Sequence, residues 1–112
     1  MDNQQTMEIK EKVLWQISET RSKVFPNDEG EVFLFGSRAR GDYQSNSDWD
    51  LLILTPDRID SQNDFDILVS PFSELGWKLD VEINPIQYSK ADWVSRKGSP
   101  FYDNVMRDAI KI

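Results

Sequence analysis

The stretch Gly36-Ser37-Arg38-Ala39-Arg40-Gly41-Asp42-Tyr43-Gln44-Ser45-Asn46-Ser47-Asp48-Trp49-Asp50-Leu51 joins two short apolar runs, Val32-Phe33-Leu34-Phe35 and Leu51-Leu52-Ile53-Leu54. Runs of this length and composition read as strands, and their near lack of alternation suggests burial on both faces. Successive side chains of a strand point to opposite faces, so Asp48 and Asp50 share one face and Trp49 takes the other. Two close carboxylates with no basic residue between them repel unless a cation sits with them. Hard oxygen donors favour Mg2+, with Mn2+ as the alternative.

Composition narrows the chemistry. The chain has 112 residues, no cysteine, no histidine and a formal net charge of −7. That length suits one domain, 1–112, with one core. Without cysteine there are no disulfides and no zinc–thiolate centres. Without histidine the commonest general base and the Ser-His-Asp arrangement are also gone, so acid–base and metal work fall to carboxylates. The negative charge argues against direct nucleic-acid binding, which depends on Lys and Arg at phosphates. It suits a metal-screened small-molecule site or a basic protein partner. The polar start, Met1-Asp2-Asn3-Gln4-Gln5, lacks a signal-peptide pattern, and no apolar run approaches a membrane span. No membrane association and a cytoplasmic location are the expectation.

Outward from the central stretch, Ile9, Val13 and Ile17 recur four apart with Leu14 alongside, predicting a helix over 6–24 with Thr6 as its N-cap. Strands are predicted over 31–35 and 48–55, and a helix from about Asp60 that Ser70-Pro71 restarts or kinks. Trp77-Lys78-Leu79-Asp80-Val81-Glu82-Ile83-Asn84 alternates with period two and is read as the third strand, stopped by Pro85. Ser89 resembles a helix cap before Trp93, and Ser99-Pro100 reads as cap and first turn of a last helix. Trp49 and Trp77 are read as core residues, and Tyr43 as an exposed loop residue. The pattern gives a chain in which helices and strands alternate.

A glycine and a small hydroxyl residue at a strand end let backbone amides approach a phosphate closely. Gly36 and Ser37 are therefore candidate nucleotide-binding residues, with Arg38 and Arg40 as candidate phosphate partners. Asp48 and Asp50 are candidate metal ligands and catalytic residues. Two ions about 3.5–4 Å apart can clamp the attacking and leaving oxygens of an in-line displacement. A third carboxylate from the next strand would complete such a centre. Asp80 is the natural candidate, both as ligand and as acceptor of the attacking hydroxyl's proton, and Glu82 is its competitor.

Gly36-Ser37, residues 38–47 and then Asp48-Trp49-Asp50 resemble the signature of the DNA polymerase β-like nucleotidyltransferases. Gly36-Ser37-Arg38-Ala39-Arg40-Gly41 with Ser47-Asp48-Trp49-Asp50-Leu51 looks most like the minimal nucleotidyltransferases of that superfamily. The family's third carboxylate lies between apolar residues, which Leu79-Asp80-Val81 fits and Glu82 does not. The resemblance implies an α/β (α+β) nucleotidyltransferase-like fold, a small mixed sheet flanked by helices, and transfer of a nucleoside monophosphate, usually from ATP with magnesium, to a hydroxyl. It implies a small helical HEPN-type protein as partner, with the chain as antitoxin transferring AMP to a toxin tyrosine. Larger relatives carry a second domain for the acceptor. Here that surface is expected from a partner or from another subunit of a homo-oligomer. A binding antitoxin without catalysis and transfer to a small molecule are the alternatives.

Overall fold

The structure is a computed structural model describing residues 3–112, with side chains from Ile9 onward. Helix α1 (Asn3–Val24) is followed by strand β1 (Glu31–Phe35), the single turn α2 (Ser37–Arg40) and strand β2 (Trp49–Thr55). Helices α3 (Gln62–Leu68) and α4 (Ser70–Leu79) then lead to β3 (Ile83–Ser89). The chain closes with α5 (Lys90–Val94), α6 (Pro100–Asp108) and β4 (Ile110–Lys111). The strands form one mixed sheet in the order β3-β2-β1-β4. β1 runs antiparallel to β2 and β4, whereas β2 and β3 are parallel.

Each face of the sheet buries its own apolar layer. Val32, Leu34, Trp49, Leu51, Ile53 and Ile83 pack on one side against Val13 and Ile17 of α1 and Phe72 and Leu75 of α4. On the other side Leu52 and Leu54 meet Trp93 of α5 and Val105 of α6, with Phe33, Phe35 and Ile86 alongside. The alternation of strand side chains thus assigns Asp50 to the α5–α6 face, in phase with Leu52 and Leu54. Among the described residues no helix is long and apolar enough to cross a membrane.

The local signals act as their chemistry requires. Ser89 caps α5 by accepting from the Asp92 amide at 3.1 Å, and Ser99 caps α6 by accepting from the Tyr102 amide at 3.3 Å. Pro71 sits in the first turn of α4, where its missing N–H leaves no helical bond unmade, so the helix restarts there. α1 begins at Asn3 and is already helical at Thr6, so Thr6 is not its N-cap. The Met7 side chain lies outside the described residues.

The predicted third strand over 77–84 is wrong. Trp77, Lys78 and Leu79 continue α4, because Phe72, Leu75 and Leu79 also fall on one helical face. Gly76 stays within the helix, where a Cβ would stand 2.8 Å from the Val81 carbonyl oxygen. The chain leaves the helix at Asp80, in the left-handed conformation with φ 55°. Strand β3 starts three residues later and runs through Pro85. Proline is tolerated there because β3 is an edge strand, with a neighbour on one side only. Trp77 is 79% exposed and not a core residue, while Trp49 is fully buried as expected.

Candidate active site

Where β1 ends, the backbone turns through Gly36 at φ 75° and ψ −157°, a conformation that disfavours any side chain. A Cβ at Gly36 would also stand 2.6 Å from Asp50 Oδ2. The glycine therefore serves the turn and the close approach of a carboxylate to the backbone. α2 begins at once, the Gly36 carbonyl accepting from the Ala39 and Arg40 amides at 3.0 Å each. Gly41, left-handed at φ 94°, closes it.

Arg38 is 4% exposed. Its guanidinium donates to the Ser47 carbonyl from Nε at 3.2 Å and from Nη2 at 3.0 Å, and to the Ser45 carbonyl from Nη2 at 3.2 Å. The Trp49 and Tyr43 rings lie 4.4 and 4.5 Å from its Cζ. A planar, five-donor cation suits such a site, where carbonyls meet its edge and aromatic rings its faces. Arg38 thereby ties the loop that precedes Asp48 to α2. The phosphate-pairing geometry expected from sequence is largely spent on the loop. Tyr43 is accordingly a packing partner and not a free loop residue.

Arg40 projects differently. Its guanidinium pairs with Asp42 at 3.3 Å and with Asp108, at the end of α6, at 3.1 Å. Its charge also favours ionisation of Asp50, which places it within electrostatic reach of the carboxylates. Asp108 went unnoticed in the sequence, where nothing connects it to a loop 68 residues earlier.

Asp48 and Asp50 stand at the entry of β2. Burial, with the Asp48 charge adding to it, raises the Asp50 pKa above the ordinary value of 3.8. Asn84 and Arg40 act in the opposite direction. The Asn84 amide donates to Asp48 Oδ2 at 3.0 Å and reaches close enough to Asp50 to favour its ionised form. The parallel register pairs Asp50 with Asn84. Asn84 is the site residue that sequence reasoning missed. The only trace of it was a polar residue beside the apolar Ile83 and Ile86, and strand pairing alone brings it to the carboxylates.

Asp80 does not lie on β3. It caps α4, and among the described residues no three acidic side chains gather as a metal-holding group. Glu82 is exposed, and its backbone carbonyl accepts from the Trp49 amide at 2.8 Å. Both line a cavity of about 650 Å³ walled also by Arg38, Ser47, Trp77 and Asn84. The structure thus brings together Gly36, Ser37, Arg40, Asp48 and Asp50, holds Arg38 behind them, and sets Asp80 apart. The carboxylate pair fits a hard divalent cation: the donors are all oxygen, and the partly buried Asp50 lacks a full counter-charge. Magnesium in particular is commonly held by one or two carboxylates together with substrate phosphates.

The nucleotidyltransferase domain family matches residues 12–110, which span the whole site. The chain belongs to that family. Two relatives from Methanocaldococcus jannaschii, each named "putative protein adenylyltransferase", are 34% identical over 84 residues and 35% identical over 78. The first alignment covers 75% of this chain and 83% of the relative, the second 70% and 72%. Among solved structures, a "putative nucleotidyltransferase" from Sulfolobus solfataricus superposes with TM-score 0.60 at 24% identity, covering 94% of this chain and 83% of its own. A toxin–antitoxin structure with AMP-PNP superposes with TM-score 0.54 at 20% identity, covering 83% and 69%. These likenesses establish the nucleotidyltransferase fold expected from Gly36–Leu51.

Proposed function

We propose that this nucleotidyltransferase transfers AMP from ATP, with Mg2+, to a hydroxyl of a partner protein, and that it does so as an antitoxin. The observation that carries the reading is the Asp48–Asp50 pair set against the Gly36 turn, with Asp50 Oδ2 in the space that a side chain at Gly36 would fill. The relatives named as protein adenylyltransferases support AMP and a protein acceptor. The toxin–antitoxin structure with AMP-PNP supports both a partner and the nucleotide. A tyrosine of a small helical HEPN-type toxin is the acceptor we favour.

In this reading Gly36 and Ser37 receive the β- and γ-phosphates, because the glycine leaves the backbone open to them. Arg40 lies beside the carboxylates and balances the charge there. Asp48 and Asp50 would hold Mg2+, which would neutralise charge on the phosphates. The acceptor oxygen bonds to the α-phosphorus as the bond from that phosphorus to the β-bridging oxygen breaks. Pyrophosphate departs with that oxygen, and the acceptor's proton passes to water. Such transition states are loose, so positioning and electrostatics contribute most of the acceleration.

The test combines purified protein, Mg2+ and α-labelled ATP with the product of the adjacent gene or a cell extract, alongside an Asp48→Asn, Asp50→Asn variant. Label on a protein band with the native chain alone is the expected result. Absence of label, with the variant still binding and protecting a partner, would replace catalysis by simple binding.

A further inference from the structure

We propose that this enzyme works with two carboxylates and that Asn84 occupies the third position as a positioning residue, fixing Asp48 while adding no charge. The inference rests on the functional reading above but concerns a residue that neither the family match nor the relatives' names assign. Three observations converge on it. The parallel β2–β3 register sets Asn84 directly beside Asp50. Its amide nitrogen donates to Asp48 Oδ2 at 3.0 Å. Among the described residues no three acidic side chains gather around the pair, Asp80 being held at the end of α4 and Glu82 exposed in the cavity wall.

An amide and a carboxylate have nearly the same shape but differ by a full charge and by two N–H donors. With Asn84 the centre carries the charge of two carboxylates, and one of their oxygens is already oriented by a hydrogen bond. A third carboxylate in register with Asp50 would increase repulsion in the free protein and strengthen its hold on a cation. The two-carboxylate centre binds a divalent cation weakly by itself and completes its oxygen shell with the phosphates of the incoming nucleotide. Cation and nucleotide therefore bind interdependently, and the free enzyme is largely without the ion. The geometry also leaves no carboxylate on β3 in register with Asp50 to take the acceptor's proton. That is consistent with a loose transition state that asks little of a base.

The experiment measures Mn2+ binding by calorimetry and by the electron paramagnetic resonance of free Mn2+, with and without a non-hydrolysable ATP analogue. The native chain is compared with Asn84→Asp, Asn84→Ala, Glu82→Gln and Asp48→Asn/Asp50→Asn. Without nucleotide, Asn84→Asp is expected to tighten Mn2+ binding by about tenfold or more, because affinity follows the charge count of the ligands. Asn84→Ala is expected to weaken Mn2+ binding in the nucleotide complex by about tenfold, as loss of an orienting partner does. Glu82→Gln should change neither value. A loss with Glu82→Gln as large as with Asp48→Asn/Asp50→Asn would make Glu82 the third ligand and overturn the proposal. Equal affinities for Asn84→Asp and the native chain would overturn it too. If analogue-dependent Mn2+ binding survives unchanged in Asp48→Asn/Asp50→Asn, the carboxylate pair is not the metal site, and the underlying functional reading fails with it. Thermal melting of each variant separates these outcomes from unfolding.

Discussion

On the β1–β2 side of the site, Asp48 and Asp50 lead into a strand that is buried from Leu51 to Thr55, and the loop before them is clamped by Arg38 between two aromatic rings. On the β3 side, Asn84 belongs to an edge strand interrupted by proline, next to an open cavity and the exposed ring of Trp77. The first side has the dense, hydrogen-bonded surroundings that hold a side chain to one geometry. The second has few constraints and room for another molecule. An enzyme that acts on a separate acceptor gains from this division, since rigid placement matters at the reacting phosphorus and access matters beside it.

Breaking the rigid side should give the largest effects. Asp48→Asn with Asp50→Asn is expected to lower label transfer by on the order of 10³-fold while leaving the fold intact, read from transfer rates and circular dichroism. Arg38→Met should cost about 2–3 kcal/mol in urea unfolding, because the Ser45 and Ser47 carbonyls lose their donor. Arg38→Lys should recover little of this, since an ammonium cannot meet both carbonyls and both rings. Full stability in Arg38→Met would mean that the arginine is not a clamp. Gly36→Ala follows at about 1–2 kcal/mol from the left-handed backbone alone. Displacement of Asp50 by the new methyl should add a loss of transfer that stability measurements do not register.

The Asp50 carboxyl offers a finer probe. Its folded-state pKa is raised above 3.8, so the folded chain binds the proton more tightly than the unfolded chain does. Ionised Asp50 therefore weakens the fold at neutral pH. That penalty is relieved as pH falls through the raised folded value toward the unfolded one. In metal-free buffer Asp50→Asn should be more stable than the native chain at pH 7, with the difference closing by about pH 4. A difference that widened on acidification would contradict the shift. The smallest effect belongs to the open side: Trp77→Ala should change stability by less than about 0.5 kcal/mol, checked by thermal melting. If it alters transfer to a protein acceptor nonetheless, the cavity is part of the acceptor's path.

The two sides also differed in how far they could be read in advance. Gly36 to Asp50 is contiguous: strand, glycine turn and paired carboxylates are close in the chain, and local rules place them. Reading Trp77 as core failed, and the carbonyl and ring partners of Arg38 went unforeseen, because a side chain's neighbours are not contained in its own stretch of chain. The stretch from Trp77 to Asn84 satisfies the period of a strand and, in its first half, that of a helix. Packing of Phe72 and Leu75 on the sheet decided for the helix and moved Asp80 off the strand.

What the chain order alone determined is the β1–turn–β2 unit, with its family, its glycine and its two carboxylates, because those constraints act over a few residues. Tertiary structure alone decided what stands beside the carboxylates. The β2–β3 register brings Asn84 across from Asp50, and α6 brings Asp108 to Arg40. Register is set by burying Ile83 on one face and Ile86 on the other against the rest of the fold, a choice that no local pattern contains.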